Sequence, residues 1–355
     1  MDSLDNLSQI KALDKGNYLS SIEALPEQCR QTWQEVGQVE IPASYREVEK
    51  IVINGMGGSA FGGLVAKSVY RNQLKVPLEI INSYSVPAYV NEKTLFIFSS
   101  YSGTTEEVLA TVDEVLSRGA KGLGITTGGR LAEILSQKQI PYFKINPQFN
   151  PSGQPRSALG YAILGTIGLL KKTRVLSIED AEIQAVMENL NQTNQIFGVG
   201  SLETDNPAKK LARSSQGKVV ILVGAEFLAG STHIFRNQLN ETAKNFADFH
   251  LLPELNHHLM DGLSFPKTNT QNLTFLFFDS SFYSPKIGKR MAITKDVVTQ
   301  NKIPVLSFEC LAEDRLSQAF EAIQFGSFVS FYLAMLNEVD PSVIPWVDYF
   351  KEKMS

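Results

Sequence analysis

The chain has 355 residues, 43% of them hydrophobic, enough material for two α/β cores and more than one typical domain holds. Its 33 basic and 37 acidic residues give a net charge of −4 without a basic stripe, which argues against a nucleic-acid partner. Only Cys29 and Cys310 are present, far apart and without His or Cys neighbours at ligand spacing, so neither a disulfide framework nor a structural zinc site is indicated and a reducing compartment fits.

Met1-Asp2-Ser3-Leu4-Asp5 lacks the positive flank and apolar run of a signal peptide, so a cytoplasmic location is expected. Residues 1–45 read as an N-terminal segment of short helices with no suggestive chemistry. From Ile51 to Gly55 a β-branched run ends in glycine, and a glycine-rich turn leads into a helical stretch, Leu64–Tyr70. Further strands read at Leu78–Asn82, Leu95–Ser99, Gly122–Thr126 and Tyr142–Ile145, with helices at Glu106–Ser117, Leu131–Gln137 and Ser157–Leu170. Such alternation predicts a parallel sheet with both faces covered.

The polar stretch Lys171–Gln195 then joins this half to a second that repeats its plan. Val219–Gly224 parallels Ile51–Gly55, and Gly230 sits near the position that Gly62 holds in the first half. Strands follow at Leu273–Phe278 and Val305–Phe308, with a helix Lys286–Thr299 between them. The apolar helix Ala322–Leu336 is shorter than the roughly 20 residues of a membrane span and contains Gln324 and Ser327, so it reads as buried and no membrane association is expected. The expected architecture is α/β, two doubly wound domains at 46–185 and 195–355, the second ending in a helix.

Two glycine-and-hydroxyl turns carry the chemistry. Gly55-Met56-Gly57-Gly58-Ser59-Ala60-Phe61-Gly62 approximates a dinucleotide turn, but the following strand ends Ile80-Ile81-Asn82 without the carboxylate that a ribose needs. No Walker lysine follows either. What remains is a tight turn with free N–H groups and Ser59 at a helix start, which suits an anion as well as it suits a purely structural glycine turn. Ser99-Ser100-Tyr101-Ser102-Gly103-Thr104-Thr105 places five aliphatic hydroxyls between a strand and a helix, more than capping requires and a good cradle for a phosphate monoester.

Together these turns resemble the sugar-isomerase (SIS) domain. With Pro151-Ser152-Gly153-Gln154-Pro155-Arg156, Asn240-Glu241, Glu254-Leu255-Asn256-His257 and a lysine near the C-terminus, the chain from about residue 45 onward is similar to the bifunctional phosphoglucose/phosphomannose isomerase family. The resemblance implies two SIS domains, each a five-stranded parallel sheet flanked by helices. It implies that Gly58, Ser59, Ser100, Ser102 and Thr105 hold a sugar phosphate, that Arg156 is the active-site arginine, and that Glu241, His257 and Lys351 are the acid-base groups. It further implies a homodimer whose histidine reaches the partner's site; no metal or redox cofactor is expected, because the sequence has neither a metal-ligand cluster nor a complete dinucleotide fingerprint. Three positions differ from the family's usual residues: Thr104, where Asn is common, His258 directly after His257, and Ser342, where Thr is frequent.

The inventory suits aldose–ketose isomerisation, which needs ring opening, a base to move a proton between C1 and C2, and a cation beside the enediolate oxygen. Taken singly, Glu241 reads as an exposed helical glutamate, His257 or His258 as a loop histidine, Lys351 as a helix-end charge and Arg156 as a partner of some carboxylate. The competing functions are a non-catalytic SIS sugar-phosphate binder or regulator, the isomerase half of an amidotransferase, which Asp2 disfavours because an N-terminal cysteine is required, and a nicotinamide enzyme, which Asn82 disfavours.

Overall fold

A computed structural model describes residues 4–354. The chain divides into two compact units, Ala24–Glu188 and residues 4–23 with Asn189 onward. Two short helices, α1 (Leu7–Leu13) and α2 (Tyr18–Glu23), open the chain, and α3 (Leu25–Val36) begins the Ala24–Glu188 unit. There follow β1 (Lys50–Asn54), α4 (Phe61–Val69), β2 (Leu78–Ile81), β3 (Thr94–Ser99), α5 (Glu106–Ser117), β4 (Lys121–Thr126), α6 (Gly129–Gln137), β5 (Tyr142–Lys144) and α7 (Leu159–Lys172).

The five strands of this unit form a parallel sheet in the order β2-β1-β3-β4-β5. Its central strands are nearly continuous apolar runs because both faces are covered: Ile51, Val52 and Ile53 of β1 and Leu95 to Phe98 of β3 are all buried. One face packs Val52, Phe96 and Phe98 against Val108 and Val112 of α5 and Leu131 and Leu135 of α6. α7 is buried without interruption from Leu159 to Leu170, and its glycines let other elements approach closely, with Cys29 N only 2.8 Å from where a Cβ on Gly160 would lie. Each fully buried leucine or isoleucine of this kind stabilises the fold by about 1.5–3 kcal/mol. Strand order reverses between β1 and β3, so the loops leaving their C-terminal ends flank a topological switch point, where doubly wound sheets take their ligands.

The division between the units falls inside α8 (Asp180–Phe197), a helix in the stretch read above as a polar joint. Then come α9 (Pro207–Ser215), β6 (Val219–Ala225), α10 (Ala229–Glu241), β7 (Ala247–Leu252), α11 (Asn269–Asn272), β8 (Leu273–Ser280), α12 (Pro285–Gln300), β9 (Val305–Cys310), α13 (Arg315–Leu336) and α14 (Pro345–Met354). This sheet is also parallel, in the order β7-β6-β8-β9. Among the described residues it has four strands, not the five that the resemblance implied.

The apolar helix near the C-terminus is longer than its sequence suggested. α13 has 22 residues and an 18-residue window of mean hydropathy 1.4, long and apolar enough to cross a membrane, yet that window is 94% buried. It is the core helix of its unit, packed on α9 and α10. Its polar positions are there to be satisfied: Gln324 Nε2 donates to Asn194 Oδ1 at 2.9 Å and to Leu190 O at 3.2 Å, and Ser327 Oγ accepts from Gln238 Nε2 at 2.8 Å.

Candidate active site

The expected phosphate residues lie together at the switch point of the Ala24–Glu188 unit. After β1 the chain turns through Gly57, whose φ of +48° suits glycine, into a short 3₁₀ turn Gly57–Ala60 and then α4. Gly55 is required by proximity, since a Cβ there would lie 3.0 Å from Ser99 O at the end of β3. The Ser59 hydroxyl accepts from Tyr101 N at 3.0 Å, and Ser99 Oγ donates to Ser59 O at 2.7 Å, so the two turns are bonded to each other.

The second turn organises itself around Ser100. Its buried hydroxyl accepts from Gly103 N at 3.1 Å and Thr105 N at 3.4 Å, and pairs with Thr105 Oγ1 at 2.7 Å. Gly103, with φ +70°, fits only as glycine because a Cβ would collide with Gly128 O. Ser102 and Thr104 stand exposed with their hydroxyls 2.9 Å apart. The loop therefore presents an outer and an inner hydroxyl pair at the N-terminus of α5, where the helix dipole favours an anion.

Gly58 and Arg156 also meet here. A Cβ on Gly58 would stand 2.8 Å from Pro155 O and 3.2 Å from Arg156 Cα, so glycine lets the arginine segment lie against the first turn. Arg156 is 2% exposed and donates to Gln154 Oε1 at 2.9 Å. Its segment is braced by Asn150, whose Nδ2 donates to Gln154 O at 3.0 Å and to the Tyr101 hydroxyl at 2.9 Å. Burial pushes the Tyr101 phenol above its usual range, with the Asn150 bond opposing this in part, so the phenol stays protonated near neutrality. Gly58, Ser59, Tyr101 and Pro155 share with Ile125, Ile145 and other neighbours a cavity of about 10 Å³, no larger than one water.

Two residues of this constellation were not singled out by the sequence. Tyr101 is the aromatic member of the hydroxyl loop, and its N–H, carbonyl and hydroxyl all bond to neighbouring turns. Asn150, directly before the Pro151–Arg156 motif, braces that motif through Gln154 O and ties it to the Tyr101 hydroxyl. Ser99, counted among five cradle hydroxyls, is turned away onto Ser59 O and braces the turns instead.

Glu241, His257 and Lys351 lie in the other unit. Glu241 is the last residue of α10 and half-buried. Next to it Asn240 bonds Ala247 twice, Nδ2 donating to the carbonyl at 2.9 Å and Oδ1 accepting from the N–H at 3.3 Å, which fastens the helix end to the start of β7. His257 closes the 3₁₀ turn Glu254–His257 that follows the opposite end of β7. β7, six residues and about 17 Å long at about 3.3 Å per residue, runs from the end to which Asn240 is fastened to the end that leads into the His257 turn, so the strand separates the Glu241 segment from the His257 turn.

The adjacent histidines have different surroundings. His258 Nε2 lies 2.7 Å from Glu254 Oε2 and its ring is 5.7 Å from that of His250. His257 is exposed, while Asn256 before it is held by Thr294 Oγ1 at 2.7 Å and Arg290 Nη1 at 3.0 Å, so its backbone is fixed and its ring projects into solvent. Lys351 lies in α14, which buries none of its residues and exposes Trp346 and Phe350. No three His, Cys, Asp or Glu side chains gather as metal ligands among the described residues.

Comparison with known proteins places this geometry among sugar-phosphate enzymes. Residues 44–133 match the SIS domain family model, and 204–354 match the bacterial phospho-glucose isomerase C-terminal SIS domain. The bifunctional phosphoglucose/phosphomannose isomerase of Caldicellulosiruptor bescii is 31% identical over 340 residues, covering 94% of this chain and 98% of that one. The enzyme of the same name from Thermoplasma acidophilum is 30% identical over 325 residues, covering 90% and 94%. A hypothetical protein from Thermus thermophilus shares the fold, with a TM-score of 0.73 at 18% identity over 98% of this chain and 92% of that one.

Proposed function

The chain belongs to the bifunctional phosphoglucose/phosphomannose isomerase family, and on that premise we propose that it is a cytoplasmic isomerase interconverting glucose 6-phosphate and mannose 6-phosphate with fructose 6-phosphate. The observation that carries the reading is the meeting of the Ser59 turn, the Ser100–Thr105 loop and buried Arg156 at one switch point. In this reading the substrate phosphate sits on Ser59, Ser100, Ser102 and Thr105 with the backbone at Gly58, held by hydroxyls and the α5 N-terminus.

The reaction moves a proton between C1 and C2 and leaves the overall oxidation state of the sugar unchanged, so it calls for acid-base groups rather than a redox cofactor. His257 and Lys351 open the ring by passing a proton between the ring oxygen and the C1 hydroxyl. Glu241 removes the C2 proton of the open aldose and returns it to C1 of a cis-enediol. Glucose and mannose 6-phosphates differ only at C2, so removing that proton leads both to a common enediol, and one base serves both when rotation about C2–C3 turns either C2 proton towards it. The Arg156 guanidinium, buried and hence little screened, stabilises the developing enediolate oxygen.

The separation of Glu241 from His257 across β7 supports a homodimer in which a second copy supplies the histidine. A hexose phosphate spans much less than that distance, and general acid-base groups work within about 3 Å of their atoms. The catalytic assignment is tested by incubating the protein with fructose 6-phosphate and measuring glucose 6-phosphate and mannose 6-phosphate separately. Both should form. Saturable binding of fructose 6-phosphate with neither product formed would replace the enzyme by a sugar-phosphate binder.

A further inference from the structure

The second unit repeats the switch point of the first but fills it with its own carboxylate. In the first unit the turn after β1 starts at Gly57 with φ +48°, and a Cβ built there meets nothing within 4 Å. In the second, the corresponding turn after β6, Glu226–Leu228, starts at Glu226 with φ 44°. The backbone is the same left-handed turn, yet a residue with a long side chain replaces glycine in a conformation that disfavours side chains.

That side chain reaches across the switch point. Glu226 Oε1 accepts from Ser284 Oγ at 2.7 Å and Oε2 from Ser284 N at 3.2 Å. Ser284 is the residue before α12 as Thr105 is the residue before α5. α12 follows β8 as α5 follows β3, and β8 adjoins β6 as β3 adjoins β1. The side chain at the counterpart of Gly57 thus binds the counterpart of Thr105. Pro285 at the first position of α12 has no N–H to offer, so Ser284 supplies both donors and Glu226 takes both.

We infer that Glu226 is a built-in substitute for phosphate: it occupies in the second unit the anion position that the sugar phosphate takes in the first, so that each chain has a single phosphate site. The inference rests on the phosphate reading of the first unit given above. A carboxylate suits the role because it brings two acceptor oxygens to a helix N-terminus and repels any other anion that approaches.

The test is the stoichiometry of bound inorganic phosphate, measured by equilibrium dialysis of radiolabelled phosphate at low ionic strength, for wild type, Glu226→Gly and Glu226→Gln. Glycine takes the left-handed turn without strain, so Glu226→Gly folds, and circular dichroism together with unchanged fructose 6-phosphate turnover verifies it. Wild type and Glu226→Gln, which retains the filling amide, should bind one phosphate per chain, and Glu226→Gly two. A folded, active Glu226→Gly that still binds one, or a wild type that binds two, overturns the inference and leaves the isomerase reading standing. A wild type that binds none overturns the phosphate reading beneath both.

Discussion

Replacing Glu241 by Gln keeps the size of the side chain and its hydrogen-bonding capacity but removes the ability to take up a proton. If Glu241 carries the proton between C1 and C2, Glu241→Gln slows isomerisation by on the order of 10²–10⁴ while glucose 6-phosphate still binds. Exchange of the C2 proton with solvent deuterium, followed by NMR, should then be lost. Normal exchange in a variant that binds substrate would mean that another group is the base. The cradle is separable from this step. Ser102 is exposed and its hydroxyl pairs with that of Thr104, so Ser102→Ala leaves no buried group unsatisfied, and on the proposed phosphate site it removes one contact to the ligand. If Ser102 holds the phosphate, which is bound in ground and transition states alike, Ser102→Ala should raise KM for fructose 6-phosphate more than it lowers kcat. An unchanged KM would take Ser102 out of the phosphate site.

At the same scale, the hydroxyl loop was legible because so many Ser and Thr residues between a strand and a helix exceed what capping uses. Which hydroxyls face outward was not legible. Ser99 ends a strand, so its direction follows the pleat and places it on Ser59 O, whereas Ser102 and Thr104 belong to the turn and face solvent. Nor could the sequence separate His257 from His258. The difference arises because Glu254, four residues before His258 on the same short turn, captures that ring.

Among the elements, α10 and β7 form a joint that carries a titration of its own. His233 of α10 stacks on Phe249 of β7 with ring centroids 4.6 Å apart, and Arg236 Nη2 lies 2.7 Å from its Nε2. Burial, and then the Arg236 charge, depress its pKa to about 4, with Asp248 opposing them. The unfolded chain binds this proton near pH 6.5, whereas the folded chain refuses it until about pH 4. The stability contributed by neutral His233 is therefore complete above pH 6.5 and falls as the pH drops towards 4. The ring is partly exposed, so about 1–2 kcal/mol is expected after screening. Urea unfolding at pH 7 and pH 5 should show a larger loss for wild type than for His233→Gln. Equal losses would contradict the assignment.

β7 and α8 were among the elements that the sequence concealed, with α9 and the short α11. Ala247-Asp248-Phe249-His250-Leu251-Leu252 mixes charged and aromatic residues because an edge strand has only one neighbour and tolerates polar positions. α8 lies in a stretch rich in Glu, Asn and Gln that reads as a connector, although Ile183, Val186 and Leu190 at helical spacing give it a buried face. The other strands were legible: the central β1, β3, β4, β6 and β8 as apolar runs that burial on both faces enforces, and the edge strands β2, β5 and β9 as shorter apolar stretches.

For the whole molecule, the internal repeat was visible as two strand-turn-helix beginnings, and the structure extends it to two parallel sheets with the same central order. The repeat is unequal in use. One copy has Gly57 in the turn after its first strand, while the other has Glu226 bonded to Ser284 there and contains Glu241, His257 and Lys351. On the proposed reading, the phosphate groups fall in one half of the repeat and the acid-base groups in the other, so neither half alone would hold the full inventory.

If isomerisation proceeds as proposed, one copy's Glu241 and a second copy's His257 act on the same sugar phosphate. Glu241→Gln and His257→Ala chains, each inactive alone, are co-refolded at equal amounts and assayed for conversion of fructose 6-phosphate. With random pairing in a two-fold dimer, half of the dimers are mixed and each mixed dimer holds one intact site, so about a quarter of wild-type activity should return. A mixture that forms mixed dimers yet stays inactive would contradict the shared site.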